Sequence, residues 1–151
     1  MVMPPIGATA PTASLPSELP GSTNAPARTS SLSGRTIYAA GFAWPGVIFW
    51  DDIRTLDYLV TRPEVDKRRI GCVGLSVGGF RSCHLAALDD RIKAAVIAGW
   101  MTSFPYQLKR HILNTIGHTM LVPGLYRQLD YPDVATLAMP SALLVINGSK
   151  G

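Results

Sequence analysis

The chain has 151 residues, enough for one domain and too few for two ordinary ones. Its 47% hydrophobic and 16% charged content is globular, and it lacks the run of about eighteen apolar residues that would cross a bilayer. The net charge of +4 sits partly in small groups, Lys67-Arg68-Arg69 and Lys109-Arg110, without interleaved aromatics; these read as solvated turns and helix faces, so neither nucleic acid nor membrane is expected as a partner.

Residues 1–33, MVMPPIGATAPTASLPSELPGSTNAPARTSSLS, hold half of the twelve prolines and only Glu18 and Arg28 as charges. Such a segment buries too little apolar surface to offset its ordering entropy, so 1–33 is expected to be a disordered leader and 34–151 the folded domain. It has neither the charged n-region nor the apolar h-region of a secretory signal, and a cytoplasmic location is expected.

From Gly34, GRTIYAAGFAWPG reads as an apolar connector punctuated by glycine. VIFWDDIRTLDYLVTRP then places Trp50, Ile53, Leu56, Leu59 and Val60 on one stripe at helical spacing, closed by Pro63. RIGCVGL is a short apolar run that fits a buried strand, and GGFRSCHLAALDD carries a helical pattern ending at Asp89-Asp90. IKAAVIAGW predicts a second strand and SALLVING a third, with a broken helical region between them. Strands alternating with helices predict right-handed crossovers and a parallel sheet, hence an α/β fold. Cys72 and Cys83 fall in apolar segments and are expected to be free thiols rather than a bridge or a metal site.

Between the first strand and its helix stands Gly74-Leu75-Ser76-Val77-Gly78. A serine on a sharp strand-to-helix turn projects its Oγ at the sheet's carboxyl edge, and the tightness of the turn asks for small residues at both ±2 positions, here Gly74 and Gly78. The following helix directs its positive end at the site, where the N–H of Val77 is a natural oxyanion donor. A bare G-x-S-x-G arises by chance in roughly one chain in ten of this glycine and serine content, so the strand–helix context is what favours a nucleophile over a structural glycine turn.

The combination of D-x-R-x-L-D-Y-L, R-P-E-V-D, R-I-G-C-V-G-x-S-x-G-G and D-x-R-I-K-A-A-V is more specific than the elbow alone. From Gly34 to Gly151 the chain resembles the central part of the α/β-hydrolase superfamily, in particular dienelactone-hydrolase-like and acetyl xylan esterase-like enzymes. The resemblance implies a partial α/β-hydrolase fold and hydrolysis of small acyl or acetyl esters through a Ser-His-Asp triad, without a cofactor. It assigns Ser76 as nucleophile and Val77 as one oxyanion donor. In that family the acid follows the strand after LLVING and the histidine lies farther on, so both are expected beyond Gly151. The upstream strands and the loop giving the second oxyanion donor are expected to be replaced here by the leader.

The chain's own histidines and acids offer little substitute. His84, eight residues after Ser76, lies about 12 Å along the helix and is expected to be a packed helix residue. His111 and His118 are seven apart across Gly117, too broken for one metal; His118 is the better candidate base of the two. Asp89 and Asp90 read as a turn, and Asp130 and Asp133 are expected toward the wrong end of the third strand. GWMTSF leaves the second strand at the carboxyl edge, where ligands bind in such sheets, making Trp100, Met101 and Phe104 candidates for a pocket wall. For Trp100, ordinary core packing is an equal alternative. The RIGCVGL strand is expected to expose an apolar edge, leading to self-association unless Arg35–Ala40 pairs along it. The competing function is a non-catalytic fragment of such a hydrolase, at most an interaction module.

Overall fold

The computed structural model describes residues 34–110 and 120–148. Three short apolar runs become parallel strands, β1 (Ile70–Leu75), β2 (Ile92–Ala98) and β3 (Ala142–Ile146), lying side by side in chain order. Their register aligns Val73 with Val96 and Leu144, and Leu75 with Ala98 and Ile146. Helix α2 (Val77–Leu88) returns the chain from β1 to β2, while the longer β2–β3 connection carries α3 (Phe104–Arg110), a 3-10 turn (Leu125–Arg127) and α4 (Tyr131–Thr136). The predicted α/β class, a parallel sheet with flanking helices, is the one observed.

Helix α1 (Trp44–Leu59) starts earlier than its hydrophobic stripe suggested, with Pro45 in the first turn, where a missing N–H costs no intrahelical bond. Its buried positions are Pro45, Phe49 and Leu56, and Trp50 faces solvent. Asp52 falls on the inward line through Pro45, Phe49 and Leu56 and pairs there with Arg81 of α2, its Oδ2 accepting from Nε at 3.0 Å. Residues 34–39 are helical, and local bonds such as Ala40 N–H to Thr36 O at 3.0 Å satisfy this backbone. The alternative in which Arg35–Ala40 pairs with β1 is therefore corrected: β1 keeps one described neighbour, β2.

Among the described residues the core clusters lie on one side of the sheet. Leu56, Ala86, Ile92, Ala95 and Ala138 pack together, and Cys83, Ile97, Val134 and Ala135 form an adjoining cluster. Both cysteines are free, and burial pushes the Cys83 thiol up to about 12, which keeps it protonated and inert. On the other face Val73 (65%), Leu75 (73%), Leu144 (54%) and Ile146 (50%) stand exposed among the described residues. Parallel sheets ordinarily carry helices on both faces. Among the described residues the exposure foreseen for the β1 edge is accompanied by exposed apolar side chains on β3 of the same face.

Candidate active site

Ser76 links β1 to α2 with φ 56° and ψ −117°, the one positive φ at a non-glycine among the described residues. A side chain disfavours this backbone conformation by about 1–3 kcal/mol, so it persists only where neighbours over-determine it. Two bonds do so here. The Ser76 N–H donates to Ala98 O at 2.8 Å, and its carbonyl accepts from Phe80 N–H at 3.1 Å, closing the first turn of α2.

The turn folds back so sharply that a Cβ on Gly74 would lie 1.9 Å from the carbonyl oxygen of Gly78. Only glycine fits at Gly74. At Gly78 the expectation is corrected: a Cβ there meets nothing within 4 Å, because the crowding involves its backbone and its own Cα hydrogens point outward. The second tight position is Gly79, whose Cβ would approach Ala98 O at 2.9 Å and the Trp100 Cβ at 3.1 Å, so that α2 seats directly on the end of β2. Val77, at the first helical position, has an amide with no acceptor inside the helix, and its side chain is exposed beside the serine. This geometry can deliver a hydroxyl and one or more N–H donors to a single carbonyl group.

Trp100, Met101 and Phe104 leave β2 on the same edge. Trp100 is half-buried, edge-on to Tyr131 at 4.6 Å and tilted against Phe80 at 5.1 Å, so the packing role weighed for it is present. Met101 packs beside it on the Cys83–Ile97 cluster. Phe104 stacks on Tyr126 with ring centroids 3.4 Å apart, and the Tyr126 and Tyr131 hydroxyls are hydrogen-bonded to each other.

Asp130 requires a correction. Asp130, at the N-cap of α4, is bonded to Ser103 and Phe104 a few residues past the end of β2, so it lies on the same edge as Ser76, not at the far end. Its Oδ2 accepts from Ser103 Oγ at 2.6 Å, and its Oδ1 accepts from the amides of Phe104 and Tyr131, both at 2.8 Å. Burial pushes this carboxyl up, but those three donors outweigh it and hold it below its usual range. Asp133 completes a capping box by accepting from the Asp130 N–H at 2.8 Å. The D-Y-P-D spacing carried that cap in the sequence. What it lacked was any sign of the Ser103 partner, 27 residues away.

His84 is the sole histidine among the described residues, and it is packed as expected. It is 5% exposed, its Nδ1 bonds Phe80 O at 2.8 Å, and its ring stacks on Phe49 at 4.5 Å. Burial pulls its pKa down, and its Nε2 is buried without a partner. Being two turns along α2 from Ser76, it cannot take the serine's proton. His111 and His118, the leader and the position after Gly151 lie outside the described residues. Asp89 is bound to Arg91 at the opposite edge. Among the described residues no cluster of His, Cys, Asp or Glu can hold a metal ion, and no helix is long and apolar enough to cross a membrane.

Comparison with known proteins bears on the family and the fold. Residues 26–150 match the Abhydrolase family. The Bacillus subtilis (strain 168) protein YtaP, whose name describes it as a hydrolase, is 32% identical over 103 residues, 68% of this chain and 34% of the relative. A CE15 glucuronoyl esterase from Teredinibacter turnerae T7901 superposes with a TM-score of 0.51 at 20% identity, over 68% of this chain and 29% of that one. A glucuronoyl esterase from Solibacter usitatus gives 0.49 at 22% identity over 64% and 28%. The likeness to the Teredinibacter turnerae structure is one of fold. The chain spans about a third of the length of the curated relative it matches.

Proposed function

The chain belongs to the Abhydrolase family, and on that premise we propose that it carries the nucleophile of a serine hydrolase acting on small carboxylic esters. Ser76 Oγ attacks the acyl carbonyl, and the carbonyl oxygen, now negative, is held by the Val77 N–H at the positive end of α2. Collapse of that intermediate expels the alcohol and leaves an acyl-enzyme on Ser76, which water then hydrolyses to free acid and serine. A histidine acts as base and an aspartate orients it. The proposed positions are beyond Gly151, with His118 as the candidate inside this chain. An oxyanion donor of this kind contributes about 10²–10³ in rate.

The observation that carries the reading is the backbone of Ser76, φ 56° and ψ −117°, at a strand–helix junction whose glycine at position 74 admits no side chain. A structural turn has no need to hold a serine there when glycine adopts the conformation without strain. A second reading, a non-catalytic interaction module, is favoured by the bare apolar face formed by Val73, Leu75, Leu144 and Ile146.

A fluorophosphonate probe separates the two. Labelling of the wild-type chain but not of Ser76→Ala supports an activated nucleophile, whereas folded protein that takes up no label rules out catalysis by this chain alone.

A further inference from the structure

After β2 the chain runs from Gly99 to Ser103 without helix or strand before α3 begins. This segment passes directly beside the elbow and carries Trp100 and Met101. Irregular backbone of this kind needs external partners to hold one conformation. It receives them from two places distant in sequence. Asn147, just past β3, donates its Nδ2 to Met101 O at 2.7 Å, 46 residues away. Asp130 accepts from Ser103 Oγ at 2.6 Å and from the Phe104 amide at 2.8 Å.

We propose that Asp130 and Asn147 are positioning residues for the reaction at Ser76: they clamp the 99–104 segment at its middle, Met101, and at its far end, Ser103 and Phe104, so that Trp100 and Met101 form a fixed wall for the acyl group. This rests on the esterase reading above. Helix capping alone does not account for the arrangement. The cap of α4 uses the Asp130 carboxylate toward Tyr131 and the N3 backbone, whereas Ser103 Oγ and the Phe104 amide lie outside α4 and are bonded in addition to that cap. Asn147 likewise follows the last ladder position of β3 and has no sheet bond to make with its side chain. Ahead of both anchors the β2 exit is fixed by Gly99 N–H to Ile146 O at 2.7 Å, and Trp100 is pressed against Gly79. A wall held in this way discriminates by acyl length, because displacement changes the space beside the nucleophile while leaving the elbow intact.

The test uses the full chain and the variants Asn147→Ala, Asp130→Ala and Asp130→Asn. Steady-state hydrolysis of p-nitrophenyl acetate and butyrate is measured together with hydrogen exchange of peptides covering 92–98 and 99–104. Each alanine variant is expected to raise KM for the butyrate about five- to tenfold, the factor for roughly one net hydrogen bond, with kcat changed by less than about twofold. Exchange at 99–104 accelerates while β2 is unaffected. Asp130→Asn keeps an acceptor oxygen for the Phe104 and Tyr131 amides and stays close to wild type. Unchanged KM in the folded alanine variants overturns the clamp, as does equal damage from Asp130→Asn and Asp130→Ala. If wild type shows no Ser76-dependent turnover, catalysis by this chain alone is ruled out, and exchange alone judges the clamp: a 99–104 segment no faster in either alanine variant overturns it too.

Discussion

The amide of Ser76 donates to the carbonyl of Ala98 at 2.8 Å, joining the elbow to the last residue of the neighbouring strand. Through this bond the nucleophile's position depends on the β1–β2 register, and on Gly74 and Gly79 letting α2 fold back over the strand ends.

That dependence predicts an asymmetry between two glycines that look equivalent in the motif. Gly74→Ala places a methyl 1.9 Å from a backbone oxygen that cannot move without dismantling α2. It should cost about 3 kcal/mol or more, or prevent folding outright. Gly78→Ala has free space and a helical backbone, so it should be neutral or gain up to about 1 kcal/mol. Urea titration of both variants decides the point: equal losses would contradict the geometry.

Strain at Ser76 gives a second prediction. Ser76→Gly and Ser76→Ala both remove Oγ, but only glycine relaxes at φ 56°. The glycine variant should be more stable than the alanine variant by about 1–2 kcal/mol, the released strain less the extra freedom of the unfolded glycine chain. Neither should take up a fluorophosphonate. Equal melting temperatures would mean the elbow is not strained.

The strands, α2 and the elbow were legible because each rests on local signals: an apolar run, a glycine pair, a helical period. The inward face of α1 was not, since Asp52 occupies one of its buried-side positions and pairs with Arg81, 29 residues on. A carboxylate on the packed stripe shifts the apparent hydrophobic face toward Trp50. Asp130 was misplaced for a related reason. Which edge of the sheet a cap occupies depends on the direction in which α4 runs, a property of the tertiary path and not of D-Y-P-D. Asn147 gave no signal beyond following a strand.

His84 sets a pH dependence whose sign follows from its burial. Desolvation lowers its folded pKa below the ordinary 6.5, against a smaller opposing effect of the bond to Phe80 O. Above 6.5 the ring is neutral in both states and contributes nothing. As pH falls below 6.5 the unfolded chain binds a proton that the folded chain does not. Stability therefore drops from there down to the folded pKa, by at most about 1.4 kcal/mol per pH unit. His84→Phe should stack in the same place between Phe49 and Phe80 and remove this component. Thermal melts from pH 8 to pH 5 in both proteins test it: parallel curves would show that another group governs the acid limb.

The bare sheet face makes the last prediction. Val73 and Leu75 project from edge strand β1, with Leu144 and Ile146 completing two apolar rows across the sheet. Among the described residues β1 has no partner on its outer edge and this apolar face is exposed, which together favour association of copies, and we propose self-association of the wild-type chain through this surface. Val73→Lys with Leu75→Lys removes only exposed methyl groups, so the pair should cost less than about 1 kcal/mol in stability. Ile97→Lys, on the covered face with no exposure, should abolish folding. Sedimentation velocity is expected to show concentration-dependent assembly in wild type and a monomer in the double lysine variant. A wild-type chain that stays monodisperse and melts cooperatively would overturn the proposal. A double variant that unfolds would instead show that these side chains are packed.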